Sequence, residues 1–283
     1  MTTFTGLRRL AGFTITAADP ALAAANYVQH LGYEIVDQGR VPRETAMNWR
    51  SPNLAQRKFV ELTPSPTGSD DCFVRFVEQA STPGIPLLGY GWNAVEISCR
   101  DPYELAERFS GTTFKIIVPP RPLPFDNDFH AMQVIGPAGE LLYFTAVPRE
   151  KSVFDLQAAR RRVDEPFIAI LAGPDATKIL EFYRETLRTP TLPTSLVDIQ
   201  IVNDVFGLPS GTTTPLGIVK LPSRYLIEVD EHPAASRPRP RRPGELPPGI
   251  ALVSFDVGRL RSGQSTRVLE GPAGEWLELP LPN

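Results

Sequence analysis

The stretch Gly136-Pro137-Ala138-Gly139-Glu140 returns unchanged as Gly271-Pro272-Ala273-Gly274-Glu275. In both places a hydrophobic run follows, at residues 141–144 and 276–279. Gly-Pro-x-Gly before such a run is typical of a tight turn between two strands. Because five identical residues recur in equivalent settings, the sequence predicts two related halves. The predicted boundary lies near residue 150, which gives two domains, residues 1–150 and 151–283.

A smaller unit repeats within each half. It starts with a hydrophobic strand, continues with an Asp and a Pro that suit the first turn of a helix, and ends in short β-rich runs. The four copies start at residues 12–16, 94–98, 167–171 and 250–257. The fourth copy reaches the last turn so soon that a full helix and a second strand have no room. The sequence therefore predicts an α+β protein of tandem βαβββ modules, the fourth of them degenerate.

Composition limits the class of protein. Proline, at 30 of 283 residues, disfavours long helices, and 42% hydrophobic residues are enough for a core. A net charge of −3 argues against a general nucleic-acid binder. No apolar run is long enough for a membrane span, and the first residues lack the apolar region of a secretory signal. The two cysteines exclude a disulfide scaffold and a thiolate zinc site. We therefore expect a cytoplasmic protein.

These modules and turns resemble the vicinal oxygen chelate superfamily, which includes glyoxalases, bleomycin-resistance proteins and dioxygenases. The resemblance covers nearly the whole chain. It implies that pairs of βαβββ modules form eight-stranded cups around a small ligand, so that this chain holds two cup-shaped domains. It also implies a metal in the cup, bound through the first and closing strands of each module.

The residues at those metal positions do not suit a metal. The first-strand positions hold Gly12, Ala94, Phe167 or Ile168, and Leu252, none of which can bind a metal ion. The closing-strand positions hold Arg75, Tyr143, Glu228 and Glu278. Two carboxylates fall short of the three or four ligands that a divalent metal needs. We therefore expect no metal and no other cofactor, although a residual site at Glu228 and Glu278 stays open.

Alternation along the strands predicts the lining of the N-terminal cup. Glu96, His130 and Tyr143 are the predicted catalytic residues, with Glu96 or His130 as the base and Tyr143 as donor to an oxyanion. The predicted substrate-binding residues are Arg75, Trp92, Thr14 and Met132. Simpler roles stay open for several of them: Glu96 and Arg75 as a structural ion pair, Tyr143 and Trp92 as core residues, and His130 as an exposed strand start.

The proline-rich residues 233–248 contain four arginines. They favour a loop that replaces the missing part of the fourth module, with a polyproline or basic recognition segment as the alternative.

Three functions remain on these grounds. The first is a metal-independent lyase, isomerase or hydratase that acts by acid–base chemistry on an aromatic or oxygenated compound. The second is a protein that binds and sequesters a small molecule, and the third is a metal-dependent dioxygenase or glyoxalase-type lyase. The expected partner is a small, aromatic molecule, with no nucleic acid and no membrane. A homodimer stays open.

Overall fold

The computed structural model describes residues 6–64, 71–80, 87–123, 126–148, 156–222, 224–256 and 266–280. Within these ranges two mixed β-sheets carry a few short helices, which confirms the predicted α+β class. The strands are β1 (Arg9–Ala17), β2 (Glu34–Arg40), β3 (Lys58–Thr63), β4 (Phe73–Glu78), β5 (Gly91–Cys99), β6 (Lys115–Leu123), β7 (Asp126–Ile135), β8 (Leu141–Ala146), β9 (Val163–Gly173), β10 (Thr191–Val197), β11 (Thr214–Lys220), β12 (Leu226–Glu231), β13 (Ile250–Asp256), β14 (Thr266–Glu270) and β15 (Trp276–Pro280). The helices are α1 (Pro20–Asn26), α2 (Arg43–Asn48), α3 (Pro102–Phe109), α4 (Ala176–Glu185) and α5 (Gln200–Phe206).

The predicted helix starts are confirmed. Asp19 and Asp101 cap α1 and α3, and each side chain accepts hydrogen bonds from the two backbone N–H groups that follow Pro20 and Pro102. Asp175 caps α4 in the same way through Lys178 N. These caps satisfy N–H groups that have no partner within the helix. None of the described helices is long and apolar enough to cross a membrane.

The first and fourth modules build one sheet, and the second and third build the other. The seven-stranded sheet has the order β14-β15-β13-β1-β4-β3-β2, and the eight-stranded sheet has the order β10-β11-β12-β9-β5-β8-β7-β6. In each sheet the two modules meet through their first strands, which pair antiparallel as β1 with β13 and β5 with β9. The described strands of the fourth module are β13, β14 and β15, with no helix between them, as its degenerate sequence predicts; residues 257–265 lie outside the described ranges.

The expectation that each half forms its own cup is therefore wrong in its pairing. Residues 1–150 and 151–283 each contribute one module to each sheet. The division of the sequence near residue 150 stays a prediction about the repeat. Sequence similarity identifies which segments are related, but it carries no information on which related segments exchange backbone hydrogen bonds.

Most of residues 233–248 is held in place by hydrogen bonds. Arg239 is half-buried and donates to the carbonyl oxygens of Tyr90, Pro248 and Ile250 at 3.0 Å each, and also to that of Trp92. Burial lowers the pKa of Arg239 to about 10. Arg241 stacks on the Trp276 ring. The segment therefore joins strands β5 and β13 from the two sheets, and Arg239 is not part of a basic recognition surface.

The two repeated turns bury their glutamates. Glu140 and Glu275 fold back on their own turns, and each accepts a hydrogen bond of 2.8 Å, from Ala138 N and Ala273 N respectively. The Tyr27 hydroxyl, which follows α1, donates to the second oxygen of Glu140 at 2.8 Å. This bond ties the first module to the second, so the modules of one half are linked by side chains while their strands pair across the halves.

Tyr183 on α4 provides the matching position against Glu275. Its hydroxyl is buried, but it has no hydrogen-bond partner among the described residues. We expect Tyr27→Phe to lower the free energy of unfolding by about 1–3 kcal/mol, because it leaves a buried carboxyl oxygen unsatisfied. Tyr183→Phe removes a contact with Glu275 that falls short of good hydrogen-bond geometry, so it is expected to cost less. Urea unfolding followed by circular dichroism measures both, and an equal loss in the two variants would contradict the assignment.

Candidate functional site

The two faces of the eight-stranded sheet differ in character. One face packs against helices, as shown by Phe144 on β8, whose ring lies 5.4 Å from that of Phe109 on α3. Gly217 on β11 lies on the same side, against Leu180 of α4. Side chains alternate between the two faces along a strand. The residues directly before and after Phe144 and Gly217 therefore lie on the other face of the sheet, here called the inner face.

Acidic and phenolic side chains gather on this inner face. Glu96 on β5 pairs in register with Tyr143 on β8. Glu228 on β12 pairs with Ile170 of β9, which in turn pairs with Ala94, two residues before Glu96. Asp230 follows Glu228 by two residues and therefore shares its face. Glu96 and Asp230 are buried, and Glu228 and Tyr143 are half-buried.

The acidic side chains of this cluster form no ion pair with a described residue, and their pKa values are raised. No ion pair among the described residues involves Glu96, Glu228 or Asp230. Burial raises the pKa of Glu96 to about 7, although the nearby Thr145 hydroxyl partly offsets this rise. Burial, and then repulsion from Asp230 and Glu96, raises the pKa of Glu228 well above its usual value. Burial also raises the pKa of Asp230 to about 7.

The pKa of Tyr143 is raised by burial and by all three carboxyl groups. Burial raises its pKa well above 10, and repulsion from Asp230, Glu228 and Glu96 raises it further. The four side chains therefore face one space. At neutral pH the phenol keeps its proton, so Tyr143 can donate a hydrogen bond there.

Several other polar atoms around this space make no hydrogen bond of good geometry, although the Thr145 hydroxyl lies near Glu96 and Asp230 lies near Glu228. Oγ of Ser98, Oγ1 of Thr145 and Oδ1 of Asp230 are buried without a hydrogen bond to any described residue, as is Oε1 of Gln133. Ser98 pairs with Thr145, and Gln133 pairs with Tyr143, so all of them lie on the inner face. Buried polar atoms are nearly always hydrogen-bonded in folded proteins. Four such atoms beside the carboxyl cluster indicate a place where a ligand or water supplies the missing bonds.

Apolar residues on the same face are only half-buried. They are Val118, Leu192 and Leu216, which strand pairing places beside Gln133, Ile218 and Asp230. Near one end, Phe206 of α5 packs against the ring of His232, which follows β12. The eight-stranded cup therefore combines a polar centre with a partly exposed apolar wall, as is usual in sites for small organic molecules.

The seven-stranded cup is filled by its own side chains. Arg75 on β4 donates to Glu61 at 2.9 Å and to Thr14 at 3.2 Å, and it lies 3.6 Å from Glu278 on β15. Glu278 also accepts hydrogen bonds from Trp49, Ser254 and Thr266. Burial raises the pKa of Glu278, but Arg75 and these donors outweigh it and hold the pKa below its usual value.

Aromatic rings close the space around Arg75. Its guanidinium lies 4.6 Å from the Phe73 ring centre and 5.3 Å from that of Trp49. Trp49 belongs to a separate apolar cluster of buried residues, Val41, Ala46, Trp49, Leu54, Val77, Leu246, Ala251, Leu252, Val268 and Trp276. A β-carbon at Gly12 would meet the Phe73 ring at 2.2 Å. The metal positions of this cup are thus occupied by packed protein atoms.

Neither cup offers a metal-binding set of side chains. In the seven-stranded cup the Arg75 guanidinium occupies one metal position and pairs with Glu278, the carboxylate at the other closing-strand position, and with Glu61. In the eight-stranded cup the positions hold Ala94, Tyr143 and Glu228, with Ile168 or Phe167 as the fourth. No group of three or more His, Cys, Asp or Glu side chains within the described ranges is close enough to bind one ion. Glu228 and Glu278 lie on different sheets and cannot form a residual site together.

Two predicted site residues lie on the wrong face. His130 on β7 contacts α3, where its Nδ1 is 3.1 Å from the Tyr103 hydroxyl. Met132 is fully buried and pairs with Phe144 on the helix-covered face. Their neighbour Gln133 is the residue that faces the cup. A shift of one residue exchanges the faces of a strand, and the sequence of β7 has apolar residues on both.

Three more predicted residues are apart from Glu96. Thr14 and Arg75 belong to the seven-stranded cup, so neither the predicted anion partner nor the alternative ion pair with Glu96 exists in this fold. Trp92 is buried where the sheets meet, with Nε1 donating to the Trp276 carbonyl at 2.8 Å. Of the predicted residues, the structure brings together Glu96 and Tyr143. Asp230, Ser98, Thr145 and Gln133 were not selected, and the pairing of modules is the information that was missing.

Comparison with known proteins supports the fold. No family model matches the sequence, and no curated protein matches it. Among solved structures, glyoxalase I from Zea mays has a TM-score of 0.61 and 14% identity, over 96% of this chain and 92% of that one. A proposed dioxygenase from Bacillus subtilis has a TM-score of 0.64 and 9% identity, over 98% and 86%. This chain therefore shares the overall fold of these two structures.

The ion pair in the seven-stranded cup gives a stability prediction. Arg75→Met leaves the buried Glu278 without its cation, and we expect the free energy of unfolding to fall by about 3–5 kcal/mol. The double variant Arg75→Met/Glu278→Gln removes the unpaired charge and should recover part of this loss. Urea unfolding measures both. A double variant no more stable than Arg75→Met would contradict the pairing.

The buried carboxyl groups give a pH prediction. Glu96 has a pKa of about 7 in the folded protein against 4.5 ordinarily, so folding binds a proton between these values. Stability therefore falls as pH rises from about 4.5 to 7, by up to about 1.4 kcal/mol per pH unit for such a group. Glu96→Gln should reduce this dependence in thermal unfolding by the contribution of one such group, while the other buried carboxyl groups keep theirs. Glu278→Gln should leave it unchanged, because the pKa of Glu278 is lowered and lies below this range.

Proposed function

We propose that this protein is a metal-independent acid–base enzyme of the lyase, isomerase or hydratase type, acting on a small oxygenated or aromatic molecule in the eight-stranded cup. The observation that carries the proposal is the pair Glu96 and Tyr143. The two lie in register on adjacent parallel strands, and burial gives Glu96 a pKa of about 7. A general base works best when its pKa lies near the working pH.

The two side chains suit complementary steps of one reaction. In its ionised form, Glu96 would take a proton from a carbon next to a carbonyl group, and the electron pair of that C–H bond would move toward the carbonyl oxygen. Tyr143 would donate a hydrogen bond to the oxygen as its negative charge develops. The protonated Glu96 would then return the proton to the same or another atom of the ligand, or to water. No oxidant or reductant is required.

The choice of a metal-independent reaction follows from the donor set. Glycine, alanine, leucine and other apolar side chains stand at the first-strand metal positions, and an arginine stands at one closing-strand position. The chemistry is therefore assigned to side chains that the cup does possess. A dioxygenase or glyoxalase-type reaction would need ligands that these positions do not hold.

The apolar wall favours a second candidate function. Val118, Leu192 and Leu216 are half-buried around the polar centre, and they would favour a protein that holds an apolar molecule without changing it. The two functions differ in what Glu96 does. In an enzyme the carboxylate is needed for turnover, whereas in a sequestering protein it is one contact among several.

Proton exchange from carbon separates the two functions. In D2O, a ketone whose α-proton is taken by Glu96 gains deuterium, which NMR detects. We expect the protein to accelerate exchange in 4-(hydroxymethyl)acetophenone, with a rate that rises as pH passes about 7. Glu96→Gln should lower the catalysed rate by about 10²–10⁴-fold while the ketone still binds.

The matched control is Glu61→Gln, which changes a half-buried glutamate of the other cup. It should exchange the ketone at the wild-type rate. If the wild-type protein binds the ketone without accelerating exchange, the sequestering function replaces the enzymatic one. If Glu61→Gln and Glu96→Gln lower the rate equally, Glu96 is not the base.

A further inference from the structure

The two cups place a carboxylate at the same position but neutralise it differently. Glu278 and Glu228 occupy the closing strands β15 and β12 of the fourth and third modules. The closing strands of the first and second modules, β4 and β8, face them with Arg75 and Tyr143. In the seven-stranded cup, Arg75 lies 3.6 Å from Glu278. In the eight-stranded cup, a neutral phenol stands where the cation would be.

The charges around the eight-stranded cup show no internal substitute for Arg75. The acidic, phenolic and imidazole groups on its inner face are Glu96 on β5, Tyr143 on β8, and Glu228, Asp230 and His232 along β12 and its end, while β9 contributes Ile168 and Ile170. Strand register also places three cations on this face, toward its outer edges: Lys220 beside Leu226, Arg121 beside Ala131 and Lys115 beside Ile135. The cations on its outer strands are Lys115 and Arg121 on β6, both exposed, and Lys220 on β11, half-exposed. None of these three forms a described ion pair with the acidic groups. Burial alone lowers the pKa of His232 to about 4, which leaves it uncharged at neutral pH.

The acidic cluster is accompanied by an independent sign of a ligand. The Ser98 hydroxyl on this face is buried and makes no hydrogen bond to a described residue. Oγ1 of Thr145 and Oδ1 of Asp230 also fall outside good hydrogen-bond geometry, but Thr145 interacts with Glu96, and Asp230 with Glu228. The side chains of Ser98, Thr145 and Asp230 are 5%, 2% and 3% exposed, so bulk water does not satisfy them freely. Each of these oxygens can accept a hydrogen bond, as can the carboxylates, and acceptors are satisfied by donors. A positively charged N–H group supplies both the donors and the charge.

From these observations we infer that the eight-stranded cup binds an organic cation, an ammonium or guanidinium group attached to an apolar body, in the place that Arg75 fills in the seven-stranded cup. The inference deepens the proposed function, on which it rests for the choice of cup. Glu228 and Asp230 bind the cationic head. Val118, Leu192 and Leu216 contact the apolar body, as Phe73 and Trp49 contact the Arg75 side chain.

Binding of such a cation has a second consequence. Glu228 and Asp230 share a buried position, so at neutral pH they hold more protons than two ordinary carboxyl groups. A cation beside them favours their ionised forms, so a proton leaves the protein as the ligand binds. An uncharged ligand of the same shape causes no such release.

Three probes of matched shape test the inference: benzylammonium, benzyl alcohol and benzoate. At about pH 7 we expect titration calorimetry to show at least about tenfold tighter binding of benzylammonium than of the other two, with proton release seen as a dependence of the heat on the buffer. Glu228→Gln/Asp230→Asn should weaken benzylammonium binding at least about tenfold and abolish the proton release. Glu61→Gln should bind it as the wild type does.

A third variant builds the missing cation into the cup. Tyr143→Arg places a guanidinium opposite Glu228, as Arg75 stands opposite Glu278, and should block benzylammonium while raising the unfolding temperature. Because each of these variants relieves repulsion between carboxyl groups, lost binding should accompany equal or higher stability, which separates it from misfolding. Equal or tighter binding of benzoate or benzyl alcohol, no binding of benzylammonium, or binding unaffected by Glu228→Gln/Asp230→Asn would overturn the inference.

The outcomes also separate the inference from the proposed function. If benzylammonium binds as described but no ketone exchanges its α-proton, the cation site stands and the enzymatic function falls. If 4-(hydroxymethyl)acetophenone is exchanged but benzylammonium does not bind, the enzymatic function stands and the cation site falls.

Discussion

A carboxyl group on the inner face of a β-sheet cup has to be neutralised, and much of the arrangement of both cups follows from how this is done. Glu278 remains ionised because Arg75 and three hydrogen-bond donors surround it. That solution uses the volume of the cup, since the guanidinium needs the Phe73 and Trp49 rings against it. Glu228 has no such partner, and burial with repulsion from Asp230 and Glu96 raises its pKa well above the usual value. One cup is therefore closed by its own ion pair, and the other holds carboxyl groups that form no ion pair with a described residue.

The same constraint recurs at the repeated turns. Glu140 and Glu275 are buried where each turn meets a neighbouring helix, and burial raises their pKa values to about 7 and about 8. Glu140 is held by Tyr27 from the module before it, which links modules whose strands belong to different sheets. The halves are thus tied internally by side chains and to one another by backbone pairing of β1 with β13 and β5 with β9. The five-residue repeat therefore lies where consecutive modules contact each other through side chains.

The sequence predicts the elements of this fold well and their assembly poorly. Asp19 and Asp101 mark helix starts through local hydrogen bonds, and the turns at residues 136–140 and 271–275 depend on nearby glycine and proline, so both are readable from short stretches. Which modules share a sheet depends on contacts between residues far apart in the sequence. Because the pairing of modules was not predictable, the sequence pattern wrongly placed Arg75 in the same cup as Glu96. It also did not show that Glu228 shares a sheet with Glu96. On β7 the prediction was wrong by one residue. Both faces of this strand carry apolar residues, so alternation could not show that Gln133, and not Met132, faces the cup.

Because of the internal repeat, the residues at equivalent strand positions of the two cups can be compared directly. Thr14 pairs with Arg75 on β1 and β4, and Glu96 pairs with Tyr143 on β5 and β8. At the same places, one cup has a hydroxyl and a guanidinium joined by a hydrogen bond, and the other has a carboxyl and a phenol. If these residues served only to hold the sheets together, the first combination would suffice twice, since it satisfies every charge within the chain. The second combination leaves three carboxyl groups without a cation, and a few buried oxygens without a well-formed hydrogen bond, among the described residues, an energetic cost that folding does not require. Such a cost is expected where a protein keeps groups ready for something outside its own chain, which favours the eight-stranded cup as the place where this molecule functions.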